Sequence, residues 1–90
     1  MEQSSIDALY DHLAATAERP VERTASRWLG EAEAIAGEVA RSDLDPAVRR
    51  ERVEQVAELL SHVETTGDEQ ADEHVDAARE LLDGLLEGGD

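Results

Sequence analysis

Residues 21–39 read Val21-Glu22-Arg23-Thr24-Ala25-Ser26-Arg27-Trp28-Leu29-Gly30-Glu31-Ala32-Glu33-Ala34-Ile35-Ala36-Gly37-Glu38-Val39. Within them Val21, Ala25, Trp28, Ala32, Ile35 and Val39 follow one another at steps of four, three, four, three and four. That spacing lines apolar side chains along one side of an α-helix in a coiled-coil-like seam, which Leu29 and Ala36 widen into a face. Pro20 suits the first helical position, where its missing N–H costs nothing, so the helix is expected over about 20–41. A helix of that length runs for about 30 Å and needs apolar partners along all of it.

The flanking sequence supplies them. Upstream, Ile6, Leu9, Tyr10, Leu13 and Ala17 share a face of a shorter helix expected at about 5–18. Ser4 or Ser5 can cap it, and Pro20 stops it by disfavouring helical geometry in the residue before. Downstream, Asp45-Pro46 reads as an N-cap followed by proline at the first position of a helix at about 46–64. Val53, Val56, Leu60 and Val63 form its core stripe, with Ala57 and Leu59 at the margins. Gly67 then suits the left-handed backbone that often ends a helix. A fourth helix is expected at about 68–87, with Ala71, Val75, Ala78, Leu82 and Leu85 again at four-three spacing. It opens on Asp68, Glu69, Asp72 and Glu73, where the helix dipole favours negative charge. Gly84, a poor helix residue, marks fraying or a tight contact, and Gly88-Gly89-Asp90 close the sequence. Short links make sequential helices antiparallel neighbours. The expected fold class is all-α, a four-helix, mainly antiparallel bundle with a shorter first helix, forming one domain over residues 1–90.

The charge balance describes the solvent better than the task. Asp and Glu number 23 against 8 basic residues, all of them Arg, for a formal net charge of −15. In dilute buffer such like charge repels itself. At ~1 M ionic strength the Debye length falls to roughly 3 Å, and the repulsion largely disappears. The lysine-free, acid-rich, aromatic-poor composition resembles that of proteins of the extremely halophilic archaea, and of their small uncharacterised acidic proteins in particular. That resemblance covers the whole chain, names no characterised family and implies a cytoplasm rich in salt. In such a setting an acidic surface is the ordinary state rather than the mark of a basic partner. Nucleic-acid binding, which needs a basic footprint, is not expected. No apolar run approaches the ~20 residues of a membrane span, and Met1-Glu2-Gln3-Ser4-Ser5 has neither the basic start nor the apolar stretch of a signal peptide. With no Cys there is neither a disulfide nor a thiolate metal site. The expected protein is soluble and cytoplasmic, with no membrane partner.

Chemistry-bearing patterns are sparse. Glu54, Glu58 and His62 align on one helix face, but a solvated face explains them, and no metal or cofactor is expected. An exposed histidine on a helical bundle resembles a histidine-phosphotransfer domain. Neither His12 nor His62 is followed by the basic residues that such a domain needs. Small all-helical chorismate mutases are also similar in size, but their sites depend on a lysine, and this chain has none. No nucleophile–base pair or glycine-rich phosphate loop is present, so no catalytic residue is assigned. Arg19, Arg23 and Arg27, four residues apart, are the candidate anion-binding feature, because guanidinium groups grip phosphate or carboxylate bidentately. Intramolecular pairing competes with it, with Glu31 in reach of Arg27. Val21, Trp28, Ile35, Val39, Val75, Leu82 and Leu85 are expected in the core or at a subunit interface. The first helix is too short to cover the whole apolar face of the second. These features point to a non-catalytic interaction or scaffold module working through helix-face association, with a protein partner or a second copy in a homodimer. The alternative is a small anion-binding regulator or enzyme built on the arginine stripe.

Overall fold

Helices form where the apolar spacing places them: α1 (Gln3–Thr16), α2 (Arg23–Arg41), α3 (Pro46–Leu60) and α4 (Glu69–Glu87). This computed structural model describes residues 3–87; Met1, Glu2, Gly88-Gly89-Asp90 and thus the outer limits of the expected 1–90 domain lie outside the described residues. Three contacts show the helix directions. Gln3 Nε2 at the start of α1 donates to the Ala40 carbonyl near the end of α2 at 3.2 Å. Arg52 in α3 pairs with Glu38 late in α2 at 3.2 Å. Arg50 Nη2 donates to the Leu86 carbonyl at the end of α4 at 3.1 Å. Each helix therefore runs antiparallel to its neighbour in sequence. α1 also packs on α4, which closes a ring of four in which the backbones of the diagonal pairs stay apart. The fold is an all-α, antiparallel four-helix bundle, and α1 is its shortest helix at 14 residues.

The core is a column of Leu, Val, Ile and Ala. α4 contributes Ala71, Val75, Ala78, Leu82 and Leu85, and α3 contributes Val53, Val56 and Leu60, with Val63 just beyond it. In α2 the buried stripe differs from the expected seam. It consists of Ala25, Leu29, Ala32, Ala36 and Val39, so Leu29 and Ala36 belong to its centre rather than its edge. Trp28 and Ile35 are only partly buried and pack against the margin of the core. Ala25, Ala32 and Val39 belong to both stripes, while Leu29 takes the place of Trp28 and Ala36 that of Ile35. The small residues win the centre because α2 approaches its neighbours closely, as where Gly37 leaves a virtual Cβ only 3.0 Å from the Tyr10 ring.

The boundaries are corrected in three places. α1 begins at Gln3, ahead of Ser4 and Ser5, and ends at Thr16, whose buried hydroxyl donates to the Leu13 carbonyl at 2.6 Å. α2 starts at Arg23 rather than Pro20, because residues 19–22 are drawn into contact with the α3–α4 connection. There the Glu22 N–H donates to the Thr66 carbonyl at 2.7 Å. α3 stops at Leu60 rather than residue 64. Arg79 of α4 donates through Nη2 to the carbonyls of Leu60 (2.8 Å) and Val63, satisfying groups that a longer helix would bond to itself. Pro46 opens α3 behind Asp45, although the Asp45 carboxylate makes no capping bond. Gly84 meets nothing within 4 Å of a virtual Cβ and so marks no tight contact.

Candidate functional site

Two places in the bundle hold more chemistry than packing requires. The first is the end where the segment 17–22 meets the segment 61–68. Asp68 Oδ2 accepts from the Ala71 N–H at 2.9 Å, capping α4. Arg19 grips both oxygens of the same carboxylate, Nε to Oδ2 at 2.9 Å and Nη2 to Oδ1 at 3.1 Å. Thr66 is fully buried; its N–H and hydroxyl both donate to Asp72 Oδ1 at 2.8 Å. Gly67 between them has φ +82°, and a Cβ there would stand 2.8 Å from Glu22 Cγ. Hydrogen bonding from Arg19, and then from Ala71, holds the Asp68 carboxyl below the usual carboxylate range, and the Thr66 donors do the same to Asp72. The Asp68 bond in turn raises the Arg19 guanidinium above its ordinary value. Every strong donor here already has an acceptor, so this end is a clasp between two loops.

The second place is the outer face of α2 and α3. Glu31, Ala34 and Ile35 of α2 and Gln55, Glu58 and Leu59 of α3 line a groove of about 450 Å³, apolar at its floor and acidic at its rim. At one end of this face the Trp28 indole stacks on the exposed His62 ring, with centroids 4.5 Å apart and planes 20° apart. The Arg27 guanidinium lies 5.2 Å from the indole centroid, in cation–π range. On α3, Val48, Arg52, Gln55 and Leu59, followed by His62 just past its end, recur at four-three spacing along this face, and Val48 is 37% exposed. Beside its core stripe α3 thus presents a mixed stripe in which Val48 is exposed and Leu59 packs at the core margin.

The structure separates the residues singled out from the sequence. Val39, Val75, Leu82 and Leu85 are buried in the core. Trp28 and Ile35 flank the groove, and Val21 lies partly buried in the connection before α2. The arginine stripe does not act as one surface. Arg19 is clasped to Asp68, while Arg23 and Arg27 are exposed and form no ion pair among the described residues. Arg27 turns to Trp28 instead of Glu31. Leu59, Gln55 and Val48 were missed as a surface; the signal was their four-three spacing one position away from the core stripe of α3. Among the described residues no group of three or more His, Asp or Glu side chains is placed to hold a metal ion. No described helix is long and apolar enough to cross a membrane.

No curated protein and no solved structure matches this chain. One family model does, over residues 5–90, and it is described as a domain of unknown function (DUF8152). It spans α2, α3 and α4 in full and nearly all of α1. The chain therefore belongs to the DUF8152 family.

Proposed function

We propose that this chain is a non-catalytic helical interaction module of a salt-rich cytoplasm, and that it associates through its α2–α3 face with a second copy of itself. The observation that carries the reading is the groove lined by Ala34, Ile35 and Leu59, with the half-buried Trp28 on the same helix as Ile35. A bundle whose four helices satisfied one another fully would close that seam. The rim supports a second copy as partner. It carries both signs, with Glu31 and Glu58 at the groove and Arg27 beside it without a carboxylate among the described residues. A two-fold axis through such a patch sets the arginine of one copy against the glutamates of the other. The acid-rich, lysine-free composition supports the salt-rich setting, since two chains of formal charge −15 meet readily only when screened.

An anion site on Arg19, Arg23 and Arg27 is the weaker reading, because Arg19 already holds the Asp68 carboxylate bidentately. The test is mass by light scattering after size exclusion in ~2–3 M KCl and again at low salt, a range over which screening changes several-fold. The wild type is expected as a dimer in high salt and a monomer in low salt, with Ile35→Glu and Leu59→Glu monomeric throughout. A wild-type monomer in high salt overturns the proposal. Association that instead weakens steeply as salt rises also overturns it, in favour of a basic partner.

A further inference from the structure

His12 on α1 and His74 on α4 place their Nδ1 atoms 3.0 Å apart in a partly buried contact. Their ring centroids are 5.2 Å apart and their planes tilt by 46°. An imidazole nitrogen lies about 1.2 Å from its ring centre, so two rings aimed straight at each other with this nitrogen separation would have centroids about 5.4 Å apart. The observed value approaches that limit, and each Nδ1 therefore points nearly along the line to the other. A metal ion held by both rings at about 2.0–2.1 Å with the same nitrogen separation would fold the centroids in to about 4.7 Å. The arrangement is that of an N–H···N hydrogen bond.

Such a bond has a fixed proton count. In the neutral pair one ring is the Nδ1–H tautomer and donates to the bare Nδ1 of the other, whose proton sits on Nε2. A first added proton goes to the free Nε2 of the donor ring, and the bond is kept with a charged donor. A second must go to the accepting Nδ1, which removes the acceptor and sets two N–H groups and two positive charges face to face. We propose that His12 and His74 form a proton-counting latch that holds α1 against α4 with up to one added proton and releases it on the second.

The surroundings leave this chemistry to the pair. On α1 the charged neighbour in sequence is Asp11 and on α4 it is Glu73; one turn away stand only Ala8, Leu9, Ala15 and Thr16, and Gln70, Ala71, Ala77 and Ala78. Glu33 of α2 lies one turn before Gly37 and so looks toward the Tyr10 side of α1, about 200° around the helix from His12. The α3 groups that reach α4 meet it around Arg79 and Leu86, about 120–140° around from His74. Among the described residues neither ring is within ion-pair reach of a carboxylate. His62, exposed and stacked on Trp28 at the α2–α3 face, takes no part in the pair.

The test is nitrogen-15 NMR of the histidine side chains, with amide hydrogen exchange along α1, from pH 8 to pH 5. The latch predicts opposite Nδ1–H and Nε2–H tautomers at pH 8, with scalar coupling between the two Nδ1 nuclei that survives the first proton and vanishes with the second. It also predicts that exchange in α1, corrected for intrinsic rate, accelerates about tenfold relative to α3 once the coupling is lost, the equivalent of one hydrogen bond. His12→Gln and His74→Gln should each abolish that pH dependence while the bundle stays folded by circular dichroism. Should a variant not fold, the wild-type coupling decides alone. Two rings that take up their protons with no scalar coupling between them at any pH, or α1 exchange that does not change relative to α3, overturn the proposal.

Discussion

Leu29→Ala and Ile35→Ala each delete three side-chain carbons from α2, six residues apart on the same helix. Leu29 is 3% exposed and is flanked along the buried stripe by Ala25, Ala32 and Ala36, so it is the large side chain in the middle of that face. Losing three buried carbons costs about 2.4 kcal/mol at about 0.8 kcal/mol each. Small, helix-fixed neighbours cannot fill the space, and an unrelaxed void of about 60 Å³ adds about 1.4 kcal/mol. The total, about 4 kcal/mol, is equivalent to roughly 15–30 °C in Tm for a domain of this size. Ile35 lines the open groove, so its deletion enlarges a solvent-filled space instead of creating a void. Its carbons are only partly withdrawn from water, and the expected cost is about 1–1.5 kcal/mol. Urea unfolding followed by far-UV circular dichroism, at concentrations where the protein is monomeric, measures both. An Ile35→Ala loss equal to or above that of Leu29→Ala would refute the register of α2 described above.

Three further outcomes follow from the loops and helix interiors. Gly30 and Gly84 are exposed helical positions with open space around a virtual Cβ, so alanine at each should stabilise by about 0.5–1 kcal/mol, measured by the same unfolding curves. Gly67→Ala forces a Cβ into left-handed backbone and toward Glu22, and should cost about 1–2 kcal/mol while leaving the helix content unchanged. Asp68 and Asp72 have lowered carboxyl pKa values in the fold, so as pH falls the unfolded chain takes up protons first, beginning near the free value of about 3.9. Their contribution to stability is complete above that value and is lost as pH drops through the folded values. Asp68→Asn should therefore flatten the acid limb of a stability–pH curve; an unchanged slope below pH 5 would count against the clasp.

The helices and their antiparallel order were legible because apolar period and stop signals are local properties. Val53, Val56 and Leu60 of α3, Val63 just beyond it, and the five stripe residues of α4 are buried at the spacing expected of them. In α2 the same reasoning slipped by one position. Trp28 is larger than its neighbour Leu29 and Ile35 larger than Ala36, yet the closely approached helix turns the bulkier member of each adjacent pair to the margin. The starts and stops of α2 and α3 depend on Thr66 and Arg79, partners from elsewhere in the chain, and no local signal announces them. The same is true of the His12–His74 contact, which joins residues 62 positions apart. The groove was half visible: the need for an additional partner along α2 was inferred from the shortness of α1, but the α3 side of the surface was not.

The clasp between the two loops also makes the bundle mechanically unequal from end to end, like a clothes peg. At the clasped end, segments far apart in sequence are tied by Arg19–Asp68 and Glu22–Thr66. At the opposite end lie the start of α1, the last turn of α4 and the α2–α3 connection, joined by Gln3 to Ala40 and Arg50 to Leu86. Those links are single side-chain bonds to carbonyls, whereas the clasp adds a bidentate ion pair, a backbone bond and the buried Thr66, so that end is expected to open last. The described ends of the chain are thus gathered at the jaw of the peg. A circular permutant joined across them and cut at Asp43 or Leu44 would keep all four helices and the clasp, and would leave the new termini where the bundle already yields.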